Sequence, residues 1–173
     1  MFTNKARILV TGIFAAMMIF FYYQRVYQLA AFCLMMVLAI IVEYFRQGTL
    51  VLAAKYFHIK DYITTERLLN QIRWPEWLSR RRRGFYEYMM GGICLQKHEF
   101  EAAEQHYEIA TKYPLRTVND HVAALVHVAN ISIRLGKYDK AEEYLKLALK
   151  DKEKVTAKML AVIDRLKQEL KRH

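Results

Sequence analysis

The chain has 173 residues, with 27 Lys and Arg against 17 Asp and Glu, and its mean hydropathy is close to zero. Only 2 Pro, 6 Gly and 2 Cys argue against a collagen-like or disordered chain, a turn-rich all-β fold, a disulfide framework and a thiolate zinc site. The average hydropathy hides two unlike parts, since residues 1–47 hold 4 Lys or Arg and 1 acid, and residues 48–173 hold the other 23 and 16.

The first part contains two uncharged runs, residues 8–23 and 26–42, on either side of Arg25. At about 1.5 Å per residue, each run covers roughly 24–26 Å as a helix, slightly less than a hydrocarbon core of about 30 Å. A single helix through both runs would place Arg25 near the bilayer centre, at a cost of about 2.5–3.5 kcal/mol. Residues 1–47 are therefore predicted to form a transmembrane helical hairpin with its tip at 23–28.

The charges that flank the two runs predict how the hairpin is oriented. Lys5 and Arg7 precede the first run and Arg46 follows the second, whereas the tip carries only Arg25. Because positive charge favours the cytoplasmic side, we expect an integral protein of a bacterial plasma membrane, with both termini and the remaining residues in the cytoplasm. A cleaved signal peptide is disfavoured, because aromatic residues stand where a small residue is needed. A buried hairpin of a soluble fold stays open as the alternative.

The second part contains an internal repeat with a period of 38 residues, which five columns keep through three copies without a gap. We predict pairs of antiparallel helices in which a small residue of the first helix faces a small residue of the second, and an aromatic residue opens the second helix. Since one pair cannot bury its apolar face alone, the copies should stack. The columns are Ala53, Gly91 and Ala129; Tyr62, Phe100 and Tyr138; Thr65, Ala103 and Ala141; Leu69, Tyr107 and Leu145; and Ile72, Ala110 and Ala148.

Residues 135–141 read LGKYDKA, and the middle copy has Gly91, Phe100 and Ala103 in the corresponding columns. This pattern resembles the tetratricopeptide repeat (TPR). The resemblance covers residues 48–150 and implies an all-α fold, in which the hairpin is followed by a TPR-like α-solenoid of three helix pairs. A last apolar stripe predicts a capping helix at 153–173. The predicted pairs are 48–75, 84–114 and 122–152, and the stripe consists of Val155, Met159, Val162, Ile163, Leu166 and Leu170.

The resemblance also implies that the first helix of each pair lines a concave groove that holds a protein or peptide partner. Asn130 matches a position where the family often has an Asn that bonds a peptide backbone. The lysines of the family's carboxylate-binding subgroup are absent, so an acidic C-terminal peptide is not expected. Alternatively, part of this surface packs against the capping helix. Transferred by position, the groove comprises Phe57, Phe85, Tyr88, Gly92, Gln96, Asn130 and Arg134, together with Leu50, Ala54, Leu95, Val126 and Ile133.

Four consecutive arginines at 80–83 are the strongest charge feature of the chain. Three hypotheses stay open: a solvated loop between copies, a contact with anionic lipid headgroups, and nucleic-acid binding through phosphates. Two neighbouring tryptophans favour the lipid hypothesis, because Trp prefers the membrane interface. No base-reading motif supports the nucleic-acid hypothesis. The residues assigned to lipid contact are Trp74, Trp77, Arg80, Arg81, Arg82 and Arg83.

No catalytic constellation is visible in the sequence. The six His include no i, i+4 pair with a Glu of the kind that binds zinc, and Cys94 lies in a core-facing column, so a packed thiol is expected. We expect no enzyme activity, metal or cofactor. The sequence predicts a membrane-anchored TPR adaptor or scaffold that binds a protein or peptide partner at the cytoplasmic face of the membrane. Two alternatives stay open: a structural subunit of a larger membrane complex that packs through its hairpin, and membrane-apposed nucleic-acid binding through the four arginines.

Overall fold

The computed structural model describes residues 4–150 and 154–172, and all their side chains except those of residues 4–9 and 40–47. The regular elements in this part of the chain are helical, which confirms the all-α prediction. The orienting charges Lys5, Arg7 and Arg46 lie outside the described side chains. The helices are α1 (Asn4–Tyr23), α2 (Tyr27–His58), α3 (Tyr62–Asn70), α4 (Arg80–Gln96), α5 (Phe100–Thr111), α6 (Val118–Arg134), α7 (Tyr138–Leu149) and α8 (Ala157–Leu170).

The chain divides into two compact units, Met1–Val51 and Leu52–His173. In the first unit a turn at residues 24–26, inside the segment predicted as the hairpin tip, separates α1 from α2. Side chains of both helices line a cavity of about 370 Å³. Among the described side chains of the first unit, large apolar groups such as Phe20 and Phe32 are exposed.

Neither α1, α2 nor any other helix within the described residues combines the length and apolarity that crossing a bilayer requires. The transmembrane assignment of the predicted hairpin therefore has no support from the structure.

The second unit repeats one turn geometry three times at the period found in the sequence. Lys60, His98 and Gly136, each 38 residues apart, adopt positive φ angles of 63°, 63° and 73°. The backbone N–H of the next residue donates to a carbonyl five residues earlier in all three copies. The aromatic column opens α3, α5 and α7, as predicted. The three hydrogen bonds join Asp61 to Tyr56 at 3.0 Å, Glu99 to Cys94 at 2.9 Å and Lys137 to Ser132 at 2.8 Å.

The repeated turn leads to opposite expectations for two substitutions. Lys60→Gly should raise the free energy of unfolding by about 0.5–1 kcal/mol and Gly136→Ala should lower it by about 1 kcal/mol, because a Cβ is strained at positive φ. Lys55→Gly, at an exposed site inside α2, is the matched control and should cost about 1 kcal/mol through lost helix propensity. Urea unfolding of the full chain, followed by circular dichroism, measures all three. If Lys60→Gly destabilised the chain as much as Lys55→Gly does, the result would contradict the positive φ angle of Lys60 in the repeated turn.

Small residues of the repeat columns let the helices of a pair approach closely. A Cβ at Gly91 would lie 2.9 Å from the Tyr107 ring, so its nearest neighbour is this ring and not the small partner that the sequence predicted. Thr65 replaces the expected small residue in the first copy, and its buried hydroxyl donates to the Asp61 carbonyl at 2.6 Å. The column alanines are fully buried: Ala53, Ala103, Ala110, Ala129, Ala141 and Ala148.

The last helix covers apolar side chains of α6 and α7. Ile163 and Leu166 are buried in a cluster with Val126 and Ile133 of α6, and Val155, Met159 and Leu170 pack on its edge. Val162, which the sequence placed in the same stripe, is instead among the exposed apolar side chains. The reason is geometric: adjacent helical residues point about 100° apart, so Ile163 takes the core-facing position.

Candidate partner-binding face and basic aromatic segment

The residues predicted to line the groove form what we call the first-helix face: Phe57 of α2, Phe85, Tyr88, Gly92 and Gln96 of α4, and Asn130 and Arg134 of α6. Gln96 and Arg134 are exposed, and the other five are half-buried. The structure therefore gives this face a partly accessible, mixed aromatic and polar character.

Phe57 belongs to the packing between two helix pairs. Its ring lies 2.7 Å from the position that a Cβ at Gly92 would take. It also makes edge-to-face contacts with Tyr88 and Tyr62, with ring centroids 6.3 and 5.7 Å apart. The structure thus packs Phe57 against two other predicted groove residues, Tyr88 and Gly92, and this packing leaves less open surface than the sequence suggested.

Behind Tyr88 the aromatic contacts continue into the third copy. Tyr88 meets the rings of Tyr107 and His127 edge-on, at 5.4 and 6.0 Å, and His127 stacks on Tyr107 at 4.6 Å with an interplanar angle of 15°. Burial raises the pKa values of both tyrosines and lowers the pKa of His127 to about 4. His127 is therefore neutral at pH 7 and serves as a packing residue. The sequence carried a signal for this, since its column holds Val51 and Met89.

The third-copy part of the predicted groove is partly covered. Val126 and Ile133 are buried in the cluster that α8 completes. The alternative considered from the sequence, packing against the last helix, is what the structure shows for these two residues. Leu50 lies in the first unit. The accessible polar part of the face consists of Gln96, Asn130 and Arg134, and the guanidinium of Arg134 stands 5.7 Å from the centroid of the Phe100 ring.

Buried carboxylates that sequence reasoning did not single out connect the helices behind this face. Glu104 of α5 is 3% exposed and accepts hydrogen bonds from Ser132 Oγ at 2.6 Å and Lys137 Nζ at 2.5 Å, and Lys140 Nζ is 3.1 Å away. Burial alone would raise the pKa of Glu104, but the hydrogen bonds from these donors lower it. Nothing in the sequence marked Glu104 as a buried residue, because most glutamates in proteins are exposed to solvent.

Glu87 of α4 forms a second buried carboxylate cluster. Arg83 Nη2 lies 2.7 Å from Glu87 Oε1, and His106 Nδ1 lies 2.6 Å from Glu87 Oε2. The pair of contacts joins the start of α4 to the middle of α5. Arg83 is thereby committed to an internal ion pair.

The loop hypothesis for the arginines at 80–83 is wrong, because they form the first turn of α4. Ser79 stands at the N-cap, and its carbonyl accepts the N–H groups of Arg82 and Arg83 at 2.8 and 2.9 Å. Arg80 and Arg81 are exposed, and Arg82 is half-buried. The four arginines are therefore not equivalent.

A short 3₁₀ segment, Pro75–Trp77, precedes this turn; Trp77 is its last residue and Trp74 is its N-cap. Their rings stack, with centroids 5.4 Å apart and planes inclined by 23°. Trp74 is 55% exposed and Trp77 is 66% exposed. The exposed side chains of Trp74, Trp77, Arg80 and Arg81 thus lie close together in the sequence, on either side of the buried Leu78.

Within the described residues, no group of three or more His, Cys, Asp or Glu could hold a metal ion. Cys94 is buried, and this burial, followed by the effect of nearby Glu99, raises the pKa of its thiol. The thiol is therefore protonated at neutral pH, as a packed core residue should be. Two features of the described surface bear on function: the first-helix face, and the basic aromatic segment formed by Trp74, Trp77, Arg80 and Arg81.

Comparisons of the chain with protein-family models, with characterised proteins and with solved structures gave no match.

Proposed function

We propose that the chain is a membrane-anchored helical-repeat adaptor that binds a protein or peptide partner through its first-helix face. The observation that carries the proposal is the threefold repeat of the turn at Lys60, His98 and Gly136. A stack of helix pairs built on one turn geometry is the architecture of repeat proteins, whose extended surfaces serve as binding sites. We assign the stack to the TPR-like α-solenoids on the resemblance of its columns, with α8 as the capping helix.

The partner we propose is an extended segment or a helix laid across α4 and α6. Such segments are held by side-chain pockets together with polar groups that bond the backbone. The half-buried aromatic Tyr88 offers apolar contact, and Gln96, Asn130 and Arg134 offer polar contacts. Exposure of these groups on successive copies supports a linear ligand that runs along the repeat.

We propose further that α1 and α2 hold the chain at a membrane and that the second unit lies on its cytoplasmic side. Support comes from the exposed apolar side chains of the first unit, such as Phe20, Phe32 and Met35. Exposed apolar side chains in such number are costly in water, and large apolar patches mark a membrane or protein contact. The positive charges before and after the two runs support the cytoplasmic orientation.

Site-specific photo-crosslinking of the full chain in its native membrane tests the adaptor proposal. A photo-reactive residue at Gln96 or at Arg134 should crosslink to the same partner, because the two positions lie in one column on successive first helices. The matched control is Glu143, an exposed residue of α7, which should give no such product. A partner captured equally from Glu143, or different partners from Gln96 and Arg134, would contradict binding along the first-helix face.

A structural subunit that packs through its first unit is the second candidate, and the exposed apolar side chains of α1 and α2 favour it equally. The same experiment separates the two functions when the photo-reactive residue is moved to Phe20 or Met35. Crosslinks from these positions alone, with none from Gln96 or Arg134, would select the structural subunit over the adaptor.

A further inference from the structure

The segment that carries the two stacked tryptophans is flanked by buried residues. Ile72 before the pair and Leu78 after it are buried, so both ends of the segment are anchored in the second unit. Trp74 and Trp77 nevertheless expose more than half of their surface. Trp is highly buried on average in folded proteins, and exposed aromatic patches mark contact surfaces. The exposure of the two tryptophans therefore indicates a surface that binds another molecule.

The charge around the tryptophans is strongly positive. Residues 73–83 contain five arginines and one acid, Glu76. Arg73, Arg80 and Arg81 are exposed. Arg83 does not belong to this surface, because it is paired with buried Glu87. Charge complementarity thus favours an anionic partner.

We propose that Arg73, Trp74, Trp77, Arg80 and Arg81 form a lipid-docking patch that lays the second unit on an anionic bilayer surface. Indole rings have an apolar body and an N–H donor, a combination that favours the headgroup level of a membrane. Arginines beside them attract the phosphates and carboxylates of anionic headgroups. The inference rests on the proposed membrane anchor, which would keep the patch close to the bilayer.

The geometry favours lipid over single-stranded nucleic acid. Proteins hold single strands in a basic groove in which bases stack on separate aromatic faces. Here Trp74 and Trp77 already cover one face of each other. Both rings are also more than half exposed, which suits insertion among headgroups.

Tryptophan fluorescence of the full chain tests the patch directly, because Trp74 and Trp77 are the chain's 2 tryptophans. The chain is reconstituted into phosphatidylcholine vesicles and into vesicles with about 30% phosphatidylserine. With the anionic lipid, the emission should move to shorter wavelength and acrylamide quenching should fall at least about twofold, because both rings leave water. Identical emission and quenching in the two vesicles would overturn the proposal.

Charge reversal identifies which arginines act. Arg80→Glu with Arg81→Glu should abolish the change, whereas Arg165→Glu with Arg172→Glu, exposed residues of equal charge near the end of the chain, should preserve it. The first pair of changes should leave the helix intact, because glutamate is favourable in the first turn of a helix. Equal loss in both double variants would overturn the assignment, since only net charge would then matter.

Two controls separate this proposal from its rivals and from the anchor. A single-stranded oligouridine added without lipid should leave the emission unchanged, and a shift equal to that in anionic vesicles would overturn lipid docking. Flotation with phosphatidylcholine vesicles reports on α1 and α2. A chain that does not float, yet shows the anionic-lipid shift, would refute the anchor and support the patch.

Discussion

Replacement of Tyr107 by alanine is expected to lower the free energy of unfolding by about 3–5 kcal/mol, because the ring is buried and the substitution leaves a large cavity. The ring contacts Tyr88 and His127 and fills the space beside Gly91. Since a domain is typically stable by about 5–15 kcal/mol, this single change removes a large share of the total. Urea unfolding of the full chain, followed by circular dichroism, measures the effect.

Tyr107→Phe is the matched control, because it keeps the ring and removes only the hydroxyl. Its cost should stay within about 1.5 kcal/mol, as is usual for substitutions that conserve volume. A Tyr107→Ala variant no less stable than Tyr107→Phe would show that the aromatic packing between copies two and three is not formed.

The second large effect is expected for Glu104→Ala, which should cost about 2–3 kcal/mol. The substitution leaves the buried Ser132 hydroxyl without its acceptor and removes the partner of Lys137 and Lys140. Removing one member of a buried ion pair costs more free energy than removing one member of an exposed pair, because a buried polar group without a partner has also lost its contact with water. Glu142→Ala is the control: this residue occupies the same column but is exposed, and its pair with Lys146 is worth under about 1 kcal/mol.

Acid titration adds a signature that a merely steric role would not show. Because hydrogen bonds lower the folded-state pKa of Glu104, its contribution is present above the ordinary pKa of 4.5 and is lost as the pH falls below it. The wild-type chain should therefore lose more stability than Glu104→Ala between neutral pH and the acid range below that pKa. Parallel loss in the two chains would contradict the ionised, hydrogen-bonded state.

The repeat was the part of the fold that could be predicted most fully. Columns at one period predicted where α5 and α7 begin, because an aromatic residue opens each of them, and the turn geometry follows the same period. The start of α4 was predicted too late. Ser79 and Thr117 are also 38 residues apart and both stand at an N-cap, so the signal for a helix beginning at Arg80 was present. The run of arginines concealed it by suggesting a solvated loop.

The surface was harder to predict, because the repeat period and the polarity of the residues do not show which side chain packs against the next copy. Phe57 packs on Gly92, and α8 covers Val126 and Ile133, although all belong to columns assigned to the groove. Glu104 is buried because Ser132, Lys137 and Lys140 of the following copy converge on it. Contacts of this kind depend on the angle between helix pairs, which a single sequence does not specify.

The affinity of the crosslinked partner segment for the full chain tests the central claim most directly. The segment captured from Gln96 is synthesised, and its binding to the chain in phosphatidylcholine nanodiscs is measured by fluorescence anisotropy. Asn130→Ala with Arg134→Glu should weaken binding at least about tenfold, which corresponds to about 1.4 kcal/mol, whereas Glu142→Ala with Glu143→Ala on α7 should leave it unchanged. Equal affinity for both double variants would contradict recognition through the first-helix face.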